Sequence, residues 1–163
     1  MQLAVIDFCR HVAGLDSANS TELDEETSCP VVGLIEELAK RDYQGNAMKK
    51  HSMLGGTMRL GSKADTLTAN SLAARSYGSA TIYERHRHRY EVNPEYQSTL
   101  ESHGMLVSGV SRDEGFIDVV EITDHPWFVG CQFHPEFTSK PLHPHGLFVS
   151  LLQAAIRHQE GGQ

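Results

Sequence analysis

Three apolar runs crowded toward the C-terminal end constrain this chain most: Met105 to Val110, Phe116 to Thr123 and Trp127 to Phe133. The first two read as strands, and the polar turn Ser111 to Gly115 between them makes an antiparallel hairpin. Around them lie helical patterns. Met1, Ala4, Val5, Phe8 and Val12 share one face, predicting a helix over residues 1 to 13 that closes at Gly14. Pro30 to Leu38 starts as an apolar run and turns helical through Ile35, Leu38 and Ala39. Ser71 to Tyr77 is a short helix, Asn93-Pro94 opens a helix that runs to His103 and stops at Gly104, and Leu147 to Arg157 is amphipathic. The remaining stretches are less regular. Asp16 to Ser28 is a polar, acidic loop, and Gly55-Gly56 opens a short strand, Thr57 to Gly61, between two turns. Ala80 to Val92 is strand-like in its first half, and residues 158 to 163 form a frayed tail. Strands interleaved with helices make the fold class α/β, with an antiparallel hairpin subregion near the end.

At 163 residues and 39% hydrophobic, the chain suffices for one domain with a core. Its net charge of -7 argues against nucleic acid as a partner, because a phosphate-tracking surface needs clustered positive charge. No run of 18 apolar residues and no basic leader occurs, so neither a membrane span nor a signal peptide is expected and the compartment is read as cytoplasmic. Cys9, Cys29 and Cys131 have no CxxC spacing and cannot all pair, which points to reduced, structural thiols.

The chemistry concentrates in Phe133 to Ser139, where His134 stands two residues before Glu136 at the end of an apolar run. On extended backbone, positions i and i+2 project to one side, and Pro135 marks a strand end open to a crevice. A neutral imidazole there could take a proton from a nucleophile while the carboxylate fixes its tautomer. The same residues also fit a histidine hydrogen-bonded at a strand end beside a surface acid.

Cys131 to Ser139 reads CQFHPEFTS. It resembles the histidine-glutamate end of the catalytic triad in class I glutamine amidotransferases, and among them the CTP synthase family. Three further segments carry the resemblance: MQLAVIDFCRHVAG from Met1 with ANSTE from Ala18, LGGTMRLG from Leu54, and ERHRHRYEVN from Glu84. The resemblance implies a flavodoxin-like α/β amidotransferase domain whose nucleophile is a cysteine in a turn of the form GxCLGMQ. Met1 and Gln2 resemble the last two residues of that turn, so the cysteine would lie three positions before Met1. The expectation is therefore that residues 1–163 are the C-terminal portion of such a domain, without the nucleophile strand or the synthase domain, and that the chain itself is inactive.

The resemblance also implies residue roles and partners. His134 and Glu136 are the catalytic pair. Gln2 contacts the L-glutamine substrate, Glu22 meets its α-amino group and Arg89 helps bind its α-carboxylate. The Gly55 to Gly61 loop faces the synthase domain of the same enzyme. That domain uses ATP and Mg2+ to aminate UTP to CTP, GTP is the activator, and the intact enzyme is a homotetramer. No cofactor is expected in this chain. The alternative is a nucleophile-less binding or interaction module.

His86 and His88 alternate on one strand side, and His143 and His145 repeat the spacing. Because Arg85, Arg87 and Arg89 are interleaved with the first pair, positive charge is expected to crowd it and no metal site is predicted. The apolar face of helix 1 to 13 is expected to be left uncovered, making the chain sticky.

Overall fold

A computed structural model describes residues 1–35 and 58–161. The expected helical continuation through Leu38 and Ala39, the Gly55 to Thr57 part of the glycine loop, and the last two residues of the tail lie outside the described residues.

Helix α1 is Gln2–His11, followed by a turn at Gly14 with φ +71°. Met1 caps it without a side-chain hydrogen bond. Its inner face is not left bare: Val5, Ile6, Phe8 and Cys9 are buried, and Leu3 and Val12 remain outside. The partner surface is a sheet edge that the sequence reading missed. Strand β1 (Ala18–Ser20) lies within the presumed polar loop and runs parallel to β2 (Cys29–Leu34). Three residues are too few to display a period of two, and the acidic residues that follow dominate the composition there.

Strand β3 is Arg59–Leu67, β4 is Thr81–His88 and β5 is Tyr90–Val92. β6 (Met105–Ser111) and β7 (Ile117–Ile122) form the expected hairpin, and β8 is Val129–Cys131. The sheet order is β1-β2-β5-β7-β6-β3-β4, with β8 also on β7. Among the described residues every pair except β1–β2 is antiparallel, so the antiparallel region extends well beyond one hairpin. β3 was expected to end at Gly61. It continues because Gly61, at φ +90°, stays paired with His86 instead of turning the chain.

Helix α2 (Leu72–Tyr77) starts at Ser71, whose hydroxyl accepts from the Ala74 amide, and the Glu121 carboxylate accepts from the amides of Leu72 and Ala73, both at 2.8 Å. The helix expected from Asn93 begins as a 3-10 turn, Pro94–Tyr96, and becomes α3, Gln97–Ser102, before Gly104 at φ +99°. Helix α4 is Gly146–Gln159, capped by the His145 ring. One core joins α1, β1, β2, β5, α3, β6 and β7 through residues such as Val5, Val31, Val92, Leu100 and Ile117. A second joins Leu67, Ala73, Ile82, Val119, Phe133 and Leu147.

The site is positioned by one feature of this topology. β6 occupies one edge of β7, so β5 and β8 must share the other. Val92 pairs with Ile117, and Cys131 to Val129 pair with Val119 to Glu121. The chain leaving β8 and the chain entering β5 therefore meet.

Candidate functional site

Past β8, Phe133 is buried and His134 turns the chain into a 3-10 turn, Pro135–Phe137. The His134 Nδ1 lies 2.8 Å from Glu136 Oε1. The pair meets as expected, but across a tight turn and not along extended backbone. Pro135 fixes φ at the first position of that turn, where no amide donor is required. The turn is tied to β4 at both ends: the His134 amide donates to the Arg85 carbonyl at 3.0 Å, and Thr138 Oγ1 donates to Glu84 Oε2 at 3.3 Å. Glu84 Oε1 in turn accepts from Tyr77 Oη and lies 2.7 Å from His145 Nε2.

A carboxylate can only accept, so Glu136 selects the tautomer with hydrogen on Nδ1 and leaves Nε2 as the basic nitrogen. The Glu136 carboxyl is held below the ordinary glutamate value, chiefly by its own backbone amide and then by His134. Both side chains remain substantially exposed, at 42% and 56%. A substrate can reach them.

Gln2, at the start of α1, lies at the same end. Met1 packs so closely on β8 that a Cβ added to Gly130 would fall 3.2 Å from the Met1 Cγ. Gln2 Nε2 donates to the Tyr90 carbonyl at 2.8 Å and reaches Gln132 Oε1 at 3.3 Å. Gln132 is two residues before His134, and its own Nε2 donates to the Tyr90 carbonyl and to Glu91 Oε2, both at 3.0 Å. Glu22 and Arg89 flank the end of β2 from opposite edges. Thr21 donates to the Val32 carbonyl on one edge, while the Arg89 carbonyl accepts from the Ile35 amide on the other. Both side chains are exposed.

Beneath these residues lies a buried ionic network that the sequence reading missed. The Arg59 guanidinium grips Asp118 with two bonds, 2.7 and 3.0 Å, and reaches Glu91 at 2.9 Å and Glu114 at 3.1 Å. Lys63 meets the other Glu114 oxygen at 3.1 Å. Burial alone would lower the Arg59 pKa, but Asp118, Glu91 and Glu114 outweigh it and hold the group raised. Burial pushes Asp118 and Glu91 above the usual carboxylate range, and Arg59 opposes that rise. His86 Nδ1 is 2.9 Å from His88 Nε2, and His88 Nδ1 is 3.2 Å from the Tyr90 carbonyl. Burial first, aided by Arg59, lowers His86 to about 4 and His88 to about 3, so both imidazoles are neutral at pH 7.

The arginines interleaved with His86 and His88 in sequence do not crowd them in space. β4 alternates, so Arg85 and Arg87 lie on its exposed face while Glu84 and His86 are buried and His88 is half-buried, and Arg89 is exposed in the bend that follows the strand. The main cation acting on both histidines is Arg59, with Lys63 adding a smaller effect at His86. His86, His88 and Asp118 bring ligand atoms within 4.8 Å of one another, but Asp118 already spends both oxygens on Arg59. His143 and His145 do not join them, since His145 is bonded to Glu84 and caps α4. The cysteines offer no nucleophile to His134. Burial pushes Cys9 to about 11 and Cys131 to about 12, and Cys29 is buried against Tyr96 Oη.

A family model, Glutamine amidotransferase class-I, matches residues 1–154. The CTP synthase of Syntrophus aciditrophicus (strain SB) is 48% identical over 160 residues, covering 98% of this chain and 28% of that protein. Among solved structures, the Trypanosoma brucei CTPS glutaminase domain with bound acivicin superposes with a TM-score of 0.80 at 33% identity, covering 96% of this chain and 57% of that one. The chain thus spans just over a quarter of the curated relative and over half of the structural one. Among the described residues no helix is long and apolar enough to cross a membrane.

Proposed function

Because the chain belongs to the class I glutamine amidotransferases and is a homologue of the CTP synthase glutaminase domain, we propose that it is the C-terminal portion of that domain and carries the acid-base half of its glutamine-hydrolysing site. The observation that carries this reading is the 2.8 Å His134–Glu136 contact at the end of β8, against which the start of α1 is seated. In the parent enzyme the nucleophile is a cysteine in the turn that leads into α1. A helix N-terminus favours its thiolate.

The thiolate attacks the side-chain amide carbon of L-glutamine. His134 Nε2, having taken the thiol proton, returns it to the departing nitrogen as the C–N bond breaks, leaving a glutamyl thioester and ammonia. A water then gives a proton back to Nε2 and its oxygen displaces the thiol, releasing glutamate. Glu136 stabilises the imidazolium at each stage. Gln2 contacts the substrate, with Glu22 toward its α-amino group and Arg89 toward its α-carboxylate, one acid and one base for a zwitterion. Ammonia passes to a synthase domain in which ATP and Mg2+ activate UTP for conversion to CTP, with GTP as effector, in a cytoplasmic homotetramer.

Burial withholds Cys9 and Cys131 and holds Cys29 against Tyr96, so residues 1–163 alone offer His134 no cysteine thiolate to activate. Incubation with L-glutamine should release no more ammonia than His134→Ala does, and release that His134→Ala abolishes would overturn this. Reading the coding frame upstream of the Met1 codon tests the larger assignment. Continuation through a Gly-x-Cys-Leu-Gly turn supports it, whereas an in-frame stop followed by a ribosome-binding signal just before the Met1 codon overturns it in favour of a binding module.

A further inference from the structure

The carbonyl oxygen of Tyr90 gathers three side-chain donors: Gln2 Nε2 at 2.8 Å, Gln132 Nε2 at 3.0 Å and His88 Nδ1 at 3.2 Å. A backbone carbonyl accepts and never donates, so its position dictates which way each amide points. Gln132 must turn its NH2 toward Tyr90, and the second hydrogen goes to Glu91 Oε2 at 3.0 Å. Its carbonyl oxygen is thereby aimed at Gln2. Gln2 in turn gives one hydrogen to Tyr90 and the other to Gln132 Oε1 at 3.3 Å. Both N–H bonds of Gln2 are spent inside the protein, and its carbonyl oxygen is the group left for a ligand.

We propose that Gln132 and Glu91 are positioning residues that fix the amide polarity of Gln2, so that Gln2 offers substrate an acceptor and selects an N–H donor on it, not a carboxylate. Glu91 is itself held from behind by Arg59 at 2.9 Å, so the buried ionic network ends at the site. The part played by substrate rests on the glutamine reading above, while the orientation of Gln2 stands independently of it.

The test is side-chain amide NMR of the 163-residue chain, with the Gln2 signals assigned through Gln2→Glu. Hydrogen exchange of the Gln2 and Gln132 NH2 groups should be at least about tenfold slower than that of exposed Gln153. Gln132→Met should accelerate exchange at Gln2 by a similar factor while the backbone amides of α1 keep their shifts, a change that a merely structural role would not single out. Glu91→Gln gives a second route to the same readout if Gln132→Met fails to fold. Fast exchange at Gln2 in the unmodified chain, or exchange unmoved by Gln132→Met, overturns the proposal. L-glutamine titration separates the two readings. About tenfold weaker binding by Gln132→Met supports both, and no response to L-glutamine in a chain whose Gln2 is protected sinks the glutamine reading alone.

Discussion

Arg59→Met is the sharpest perturbation of the network beneath the site. The arginine side chain is 1% exposed and bonds Asp118 twice and Glu91 once, both carboxylates being fully buried. Methionine keeps much of the volume and stays against Phe116, whose ring lies 5.6 Å from the guanidinium, so little cavity opens. The cost is electrostatic. Removing one partner of a buried ion pair costs about 3–5 kcal/mol, because the other charge is left uncompensated. Those carboxyls can escape by protonation, which gives the loss a pH dependence of definite sign. Burial already raises both pKa values in the folded state, and losing Arg59 raises them further. A carboxyl whose folded pKa is raised binds more protons folded than unfolded, so its penalty grows as pH rises above the unfolded value of about 4. Urea denaturation followed by circular dichroism should therefore show a loss of about 3–5 kcal/mol at pH 8.5. At pH 5.5 the loss should shrink by at least about 1.4 kcal/mol, the worth of one pKa unit. A loss that is equal at the two pH values, or under about 1 kcal/mol at pH 8.5, would refute the assignment of Arg59 as the compensating charge.

Gly109→Ala should destabilise the chain by about 1–3 kcal/mol in the same assay, since a Cβ there would lie 2.6 Å from Val119 Cγ2 and 3.0 Å from Leu67 Cδ2 in a packed sheet. A neutral result would show that β6 and β7 do not approach as described. The Glu136 carboxyl, followed by 13C NMR, should titrate below an ordinary glutamate, and His134→Ala should move it back only in part because its own backbone amide is the larger cause. A midpoint at the ordinary value would contradict the turn geometry. Cys9 and Cys131 should react with iodoacetamide at pH 8 at least about a hundredfold more slowly in the native chain than in urea, as thiols at about 11 and 12 hold few thiolates. Native-state labelling of either at the unfolded rate would mean that its burial is misassigned.

The elements readable from sequence were those whose period is long enough to count. α1, α4 and the β6–β7 hairpin lie close to their expected bounds. β1 is too short for such a signal, and β3 carries Arg59 and Asp65 inward, so its polar residues resemble a loop. The site divides in the same way. His134 and Glu136 are adjacent in sequence and their contact needs only local backbone. Gln132 and Glu91 are 41 residues apart and become neighbours only because β5 and β8 share an edge of β7, which no local pattern encodes.

The segment from Glu84 to Glu91 holds both halves of the site. Side chains at Glu84 and Glu91 hold Thr138 and Gln132, while the carbonyls of Arg85 and Tyr90 hold the His134 amide and the Gln2 side chain. Alternation makes this possible, since β4 can turn Arg85 and Arg87 outward and still present Glu84 and His86 to the interior. Two of the four anchors are backbone atoms, which a side-chain substitution does not remove. The remaining two depend on buried carboxylates, and only Glu91 draws directly on Arg59. A defect at Arg59 should thus reach Gln132 and Gln2 through Glu91, while the His134–Glu136 turn, tied separately to Glu84 and to the Arg85 carbonyl, is the half of the site insulated from it.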